Sequence, residues 1–209
     1  MQNKKPVPQL NINNADEAKL HNIIDMGLNF SAMMRLLQKG SKQLIKARTL
    51  TDVCEVFKAE SEPALNEIHA AFCDWGVKNI VLAERRKKGR IIKKSGPVSY
   101  GQIAKILDVV LRVVVYYSHL PDSEKSHLIS RWLHAAVDTK MMEYLKKDYS
   151  EDSRPWPKSI EQVHRAEYRS IQEAVRKFIG QEHSGEITPV QFDDIYWEAL
   201  NKQKAESGK

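Results

Sequence analysis

The chain has 209 residues, 42% of them hydrophobic, and a formal net charge of +6, which suits one domain with a real core and leaves little room for a second. Cys54 and Cys73 stand without another Cys or a His at metal-ligand spacing, so the sequence reads as a reduced chain with two buried free thiols. The opening MQNKKPVPQL lacks an apolar core of signal-peptide length, and the expectation is a cytoplasmic protein with no membrane partner.

Residues 1–13, polar with two prolines, read as a flexible N-terminal arm. Asn14 with Glu17 predicts a first helix start, and helical spacing of Leu20, Ile23, Ile24, Leu28, Met33, Met34, Leu36 and Leu37 follows. Gly27 and Asn29-Phe30-Ser31 divide this stretch into helices over 15–27 and 31–47, and Thr51 begins a third. Ser61-Glu62-Pro63 restarts the chain, since proline is tolerated in a first turn. The inward stripe Leu65, Ile68, His69, Phe72 and Trp75 is expected to close at Gly76.

Residues 77–98 change character. Seven of the ten residues from 85 to 94 are cationic: Arg85, Arg86, Lys87, Lys88, Arg90, Lys93 and Lys94. Gly89 at the centre, with apolar residues on both sides, allows a short basic β-hairpin; a helix ending near Lys88 is the other solution. Ser95-Gly96-Pro97 breaks the chain before a central helix over 99–118. Ser99 and Gln102 form a capping box, and only Lys105, Asp108 and Arg112 interrupt the apolar run that follows. A helix apolar nearly all round is a buried one, and three charges near its middle exclude a membrane span.

Beyond Pro121 the spacing predicts a helix with Leu128, Ile129, Trp132 and Leu133, a step at Ala135-Ala136, and a continuation capped by Asp138. Ser159 with Gln162 predicts a capping box opening a helix that ends at Gly180, and Thr188-Pro189-Val190-Gln191 predicts another. The expected architecture is all-α: a single bundle over 14–200 around the buried central helix, with a basic loop or hairpin at 77–98 and a disordered tail at 201–209.

Dense cations repel one another and are best held by a polyanion, so Arg85, Arg86, Lys87, Lys88, Arg90, Lys93 and Lys94 point to phosphate-backbone contact. On the central helix, Lys105, Asp108, Arg112 and His119 fall on one side at 100° per residue and allow intrahelical ion pairs. The bland account of this stripe is a route to solvent or a buried pair satisfied by a neighbour. A third group, His127, Arg131, His134 and Asp138, lacks a further ligand, so no metal and no cofactor is assigned to it.

Three resemblances attach to these residues. Arg112 and His119 resemble the R-x4–6-H pair of HEPN-type ribonucleases, which implies metal-independent RNA cleavage within a dimer. Pro97 to Ala104 (PVSYGQIA) is similar to a segment of alkylguanine-DNA alkyltransferases. The Cys nucleophile segment that those enzymes need after it is missing, so no activity is carried over. Ser99-Tyr100-Gly101-Gln102 with Lys105, followed by Leu133-His134-x2-Val137-Asp138, is similar to uncharacterised all-helical prokaryotic proteins. The expected function is a non-catalytic nucleic-acid-binding or adaptor subunit of a prokaryotic nucleic-acid-processing or antiviral defence complex, acting with partner proteins or as a homo-oligomer. The alternatives are the HEPN-like ribonuclease using Arg112 and His119, and a protein scaffold with an exposed patch at Trp156, Tyr196 and Trp197.

Overall fold

Caps written in the sequence start most of the helices. In the computed structural model, which describes residues 14–149 and 156–207, α1 (Ala15–Phe30) follows Asn14, whose side chain makes no capping hydrogen bond, and a 3-10 turn (Ala32–Leu36) leads to α2 (Lys39–Lys58). Helix α3 (Glu62–Asn79) begins at Ser61, whose hydroxyl accepts from the Ala64 amide, with Pro63 in the first turn. The chain is mainly helical, with eight helices and two short antiparallel sheets among the described residues. No helix among them is long and apolar enough to cross a membrane.

Two glycines expected to end helices instead lie inside them. Helix α1 runs past Gly27 and α3 past Gly76. Each glycine marks where another helix comes too close for a side chain. A Cβ on Gly27 would lie 2.9 Å from the Val110 Cα, and one on Gly76 would lie 2.6 Å from Ile103 Cγ2. Gly27→Ala weighs a helix-propensity gain of about 0.5–1 kcal/mol against overpacking of about 1–3 kcal/mol. The obstacle is backbone, which cannot rotate away, so overpacking wins. We expect a urea midpoint below wild type; an unchanged or raised midpoint would show that the two helices separate at no cost. Helix α2 is also continuous through Thr51, where a new helix was expected, and Cys54 on it is half-buried rather than buried.

Between α3 and the next helix the chain forms a two-tier antiparallel ribbon. At its base, β1 (Val81–Leu82) pairs with β4 (Gly96–Pro97); at its tip, β2 (Arg85–Lys87) pairs with β3 (Arg90–Lys93). Lys88 and Gly89 turn the tip with φ of 50° and 78°, the twin positive dihedrals of a two-residue turn that matches strand twist. The base is tied to the body. The Gln38 amide donates to the Val81 carbonyl, the Ala83 amide to that of Leu36, and the Val81 amide to the Ser41 hydroxyl.

Ser99 and Gln102 form the expected capping box at the start of α4 (Tyr100–Leu111). All of α4 is buried except Lys105, which is partly exposed. Helices α1 and α3, the 3-10 turns and α7 all contact it. The expected single helix changes form at Arg112: Arg112–Tyr117 is a π-helical segment, with the Ser118 amide on the Val113 carbonyl.

Helix α5 (Ser123–Ser130), capped by Asp122, is followed by an irregular segment at 131–138 in which Leu133, Ala135, Ala136 and Val137 are buried. Asp138 caps α6 (Thr139–Tyr149) as expected, accepting from the Met141 amide. The Ser159–Gln162 capping box does not form. Gln162 accepts instead from the Lys158 amide beside a 3-10 turn (Ile160–Gln162), and α7 (Arg165–Glu182) starts with Glu167 accepting from the His164 amide. Helix α7 passes Gly180 and is closed by Gly185, at φ 73°, whose amide reaches the Ile179 carbonyl. The Thr188–Gln191 box opens α8 (Pro189–Ser207), which stays helical beyond the tail boundary expected at 201. The N-terminal arm expected at 1–13 lies outside the described residues.

Candidate functional site

Two regions carry chemistry: the ribbon tip and a buried polar cluster. On the tip, Arg85, Arg86, Lys87, Lys88, Arg90 and Lys94 are exposed, and Lys93 is half-buried. Two of these cations are neutralised. Arg86 pairs with Glu84 at 2.6 Å and Lys93 with Glu161 at 2.5 Å. Among the described residues the other five have no carboxylate partner. Ile91 and Ile92 sit among them at 48% and 54% exposure, so the tip presents apolar surface inside a field of positive charge.

The second region joins four elements. The His69 imidazole on α3 meets Asp108 on α4, with Nε2 2.9 Å from Oδ1. Tyr168 on α7 donates its hydroxyl to the other Asp108 oxygen at 2.8 Å and lies 3.3 Å from His69 Nε2. His134, on the irregular 131–138 segment, places Nδ1 3.0 Å from the same hydroxyl. Cys73 Sγ lies 3.7 Å from His69 Nδ1. The segment carrying His134 is held from α7: Gln172 accepts from the Ala135 amide at 3.1 Å and donates to the Ala135 carbonyl at 2.9 Å. One side-chain amide thus meets both the N–H and the C=O of buried Ala135, whose carbonyl also accepts from the Val137 amide.

Burial sets the charges here. It works to neutralise His69, but the Cys73 sulfur and the Asp108 carboxylate outweigh it and raise the imidazole to about 10. Burial lifts the Asp108 carboxyl, and His69 and Tyr168 oppose that rise. His134 is kept well below the usual imidazole range by burial and then by the charge on His69. Burial and Asp108 push the Tyr168 phenol well above its ordinary value. These directions favour a proton on His69, a neutral His134 and a protonated Tyr168 phenol around the buried Asp108 carboxyl. His69, His134 and Tyr168 line the floor of a cleft of about 360 Å³, with Glu62, Arg169 and Arg176 among its other walls.

No family model, curated protein or solved structure matches this chain.

The remaining residues singled out by sequence are dispersed. Lys105 pairs with Asp138 at 3.6 Å, and Asp108 turns to His69, so the expected intrahelical pairs within 105–112 give way to partners on other elements. Arg112 contacts Asp193 and lies over the Tyr117 ring. His119, exposed at φ 52°, borders a separate cavity with Tyr116, Ser123 and His127. Arg131 is exposed on the surface, and His134 and Asp138 serve different partners. Trp156 and Tyr196, expected on an exposed patch, are buried, and Trp197 is half-buried.

Asp193 offers a pH test. Burial raises its carboxyl to about 7, with Asp194 and Asp138 adding to the rise and Arg112 and Lys105 resisting it. A carboxyl whose folded value exceeds its unfolded one stabilises the fold at low pH, and loses that contribution as pH rises through the folded value. Asp193→Asn does not titrate. Its stability relative to wild type is expected to climb between about pH 4 and pH 7, by at most about 4 kcal/mol, and to level off above that. Chemical denaturation across that range checks it; a flat difference would refute the shift.

Proposed function

We propose that the chain is a non-catalytic nucleic-acid-binding protein: a helical bundle around α4 that grips the phosphate backbone with the ribbon tip. The observation that carries this reading is the set of five exposed cations, Arg85, Lys87, Lys88, Arg90 and Lys94, that lack a carboxylate partner among the described residues. A two-stranded ribbon has the width of a major groove, and the tie between Lys93 and Glu161 anchors one strand of the tip to the body. Salt bridges that had quenched the run would have favoured a solvated, inert loop; here most of the charge is available. The test is fluorescence anisotropy of the full chain with labelled duplex DNA, single-stranded DNA and RNA from low to moderate salt. Log affinity should fall linearly with log salt. Absence of binding at low salt to all three probes would overturn the proposal.

A further inference from the structure

The cluster below the cleft has a property that neither the ribbon nor the sequence reading uses. Three potential ligands, His69, Asp108 and His134, come from α3, α4 and the 131–138 segment, with ligand atoms all within 4.8 Å of one another. A point equidistant from three atoms at that spacing lies about 2.8 Å from each. The Tyr168 hydroxyl already stands near that point, 2.8 Å from Asp108, 3.0 Å from His134 and 3.3 Å from His69. Zinc-class ions sit about 2.0–2.2 Å from such donors, so with the ion at the hydroxyl's place Asp108 and His134 would draw in by about 1 Å or less and His69 by about 1.2 Å.

We propose that His69, Asp108 and His134 bind one divalent transition metal ion of the zinc class at the floor of the cleft, in the place now held by the Tyr168 hydroxyl. The chemistry of the donors fits. Two imidazoles and one carboxylate suit zinc and its neighbours, and three protein ligands leave a coordination position open toward the cleft. The surroundings are built to hold these donors in place. His69 and Asp108 are each 2% exposed. Gln172 fixes the backbone that carries His134, and Cys73 approaches the ring nitrogen of His69 opposite the proposed ion, where a supporting group is expected. The three donors lie 39 and 26 positions apart in the sequence, so no spacing motif announces them.

The full chain, stripped with chelator and titrated with Co²⁺ at pH 8, is expected to take up one equivalent, the ion displacing the His69 proton to solvent as it binds. Visible absorption bands should show a low-coordinate, nitrogen-and-oxygen site, and Zn²⁺ should displace the cobalt. His134→Ala should weaken uptake by at least about 100-fold while keeping the wild-type circular dichroism. If that variant fails to fold, His134→Gln, which keeps a hydrogen-bond partner for Tyr168, takes its place with the same expectation. Tyr168→Phe, which removes the occupant and leaves all three donors, should bind Co²⁺ at least as well as wild type. No cobalt bands in the wild type, or wild-type uptake in the His134 variant, would overturn the proposal.

Discussion

Replacing Arg85, Arg86, Lys87 and Lys88 by Ser should weaken nucleic-acid binding by a factor on the order of 10²–10⁴ at 50 mM salt. The number follows from counterion release. Each phosphate neutralised on a duplex contributes about 0.9 to the slope of log affinity against log salt, and five contacts from the cations without a carboxylate partner would give about −4.5. Losing three of them, Arg85, Lys87 and Lys88, should leave a slope near −2, so the variant loses most at low salt, where the release is worth most. Folding should not change, because all four side chains are exposed and only Arg86 has a carboxylate partner. A variant that binds with the wild-type slope would place the contact elsewhere on the surface, whatever its affinity.

Asp108→Ala should cost about 3–5 kcal/mol of stability, the range for stripping one partner from a buried ion pair. The loss is large because Asp108 accepts from two buried groups at once, His69 and Tyr168. For a domain of this length that is a fall in melting temperature of roughly 6–20 °C. Removing both partners together, as in a His69→Leu, Asp108→Leu double variant, should cost less than the sum of the single changes, since no orphan charge remains. Urea unfolding of the four chains gives the coupling directly. A loss below about 1 kcal/mol for Asp108→Ala would mean that the pair is not holding charge in the folded state.

The parts of the fold that sequence made legible are those set by neighbours along the chain. The Ser99–Gln102 and Thr188–Gln191 boxes, the Ser61-Glu62-Pro63 start, the Asp138 cap and the turn at Gly89 all depend on residues within four positions of each other. What misled was glycine. Gly27, Gly76 and Gly180 look like stops, yet Gly27 and Gly76 answer to Val110 and Ile103, more than 20 positions away. The Ser159–Gln162 box failed for a similar reason: the Ser99 hydroxyl takes the Ile160 carbonyl and pins that turn from outside.

The site was half legible. The exposed cations of the tip declare themselves in one run of sequence, although their pairing as strands needed the structure. The cluster did not. His69 reads as one more member of the stripe that includes Leu65 and Phe72, and Tyr168 carries no local signal at all. The available hint was a pair of titratable residues, His69 and Asp108, each placed on an inward apolar face. Arg112 and His119 show the opposite error. Counting 100° per residue assumes an unbroken α-helix, and the π segment from Arg112 turns more slowly, so residues on either side of it no longer share the counted face.

The ribbon's two tiers bear on how this chain can change over time. Its base, β1 against β4 with Leu37 bridged to Leu82, already brings the end of α3 and the start of α4 together. Everything beyond Ala83 and Ser95 is suspended from that clasp. Lengthening such a closed excursion costs only about 0.6 kcal/mol per doubling. Changes of length at the tip therefore leave every helix with its neighbours. The stretch that gives the molecule its most distinctive surface is the one on which the helical fold depends least.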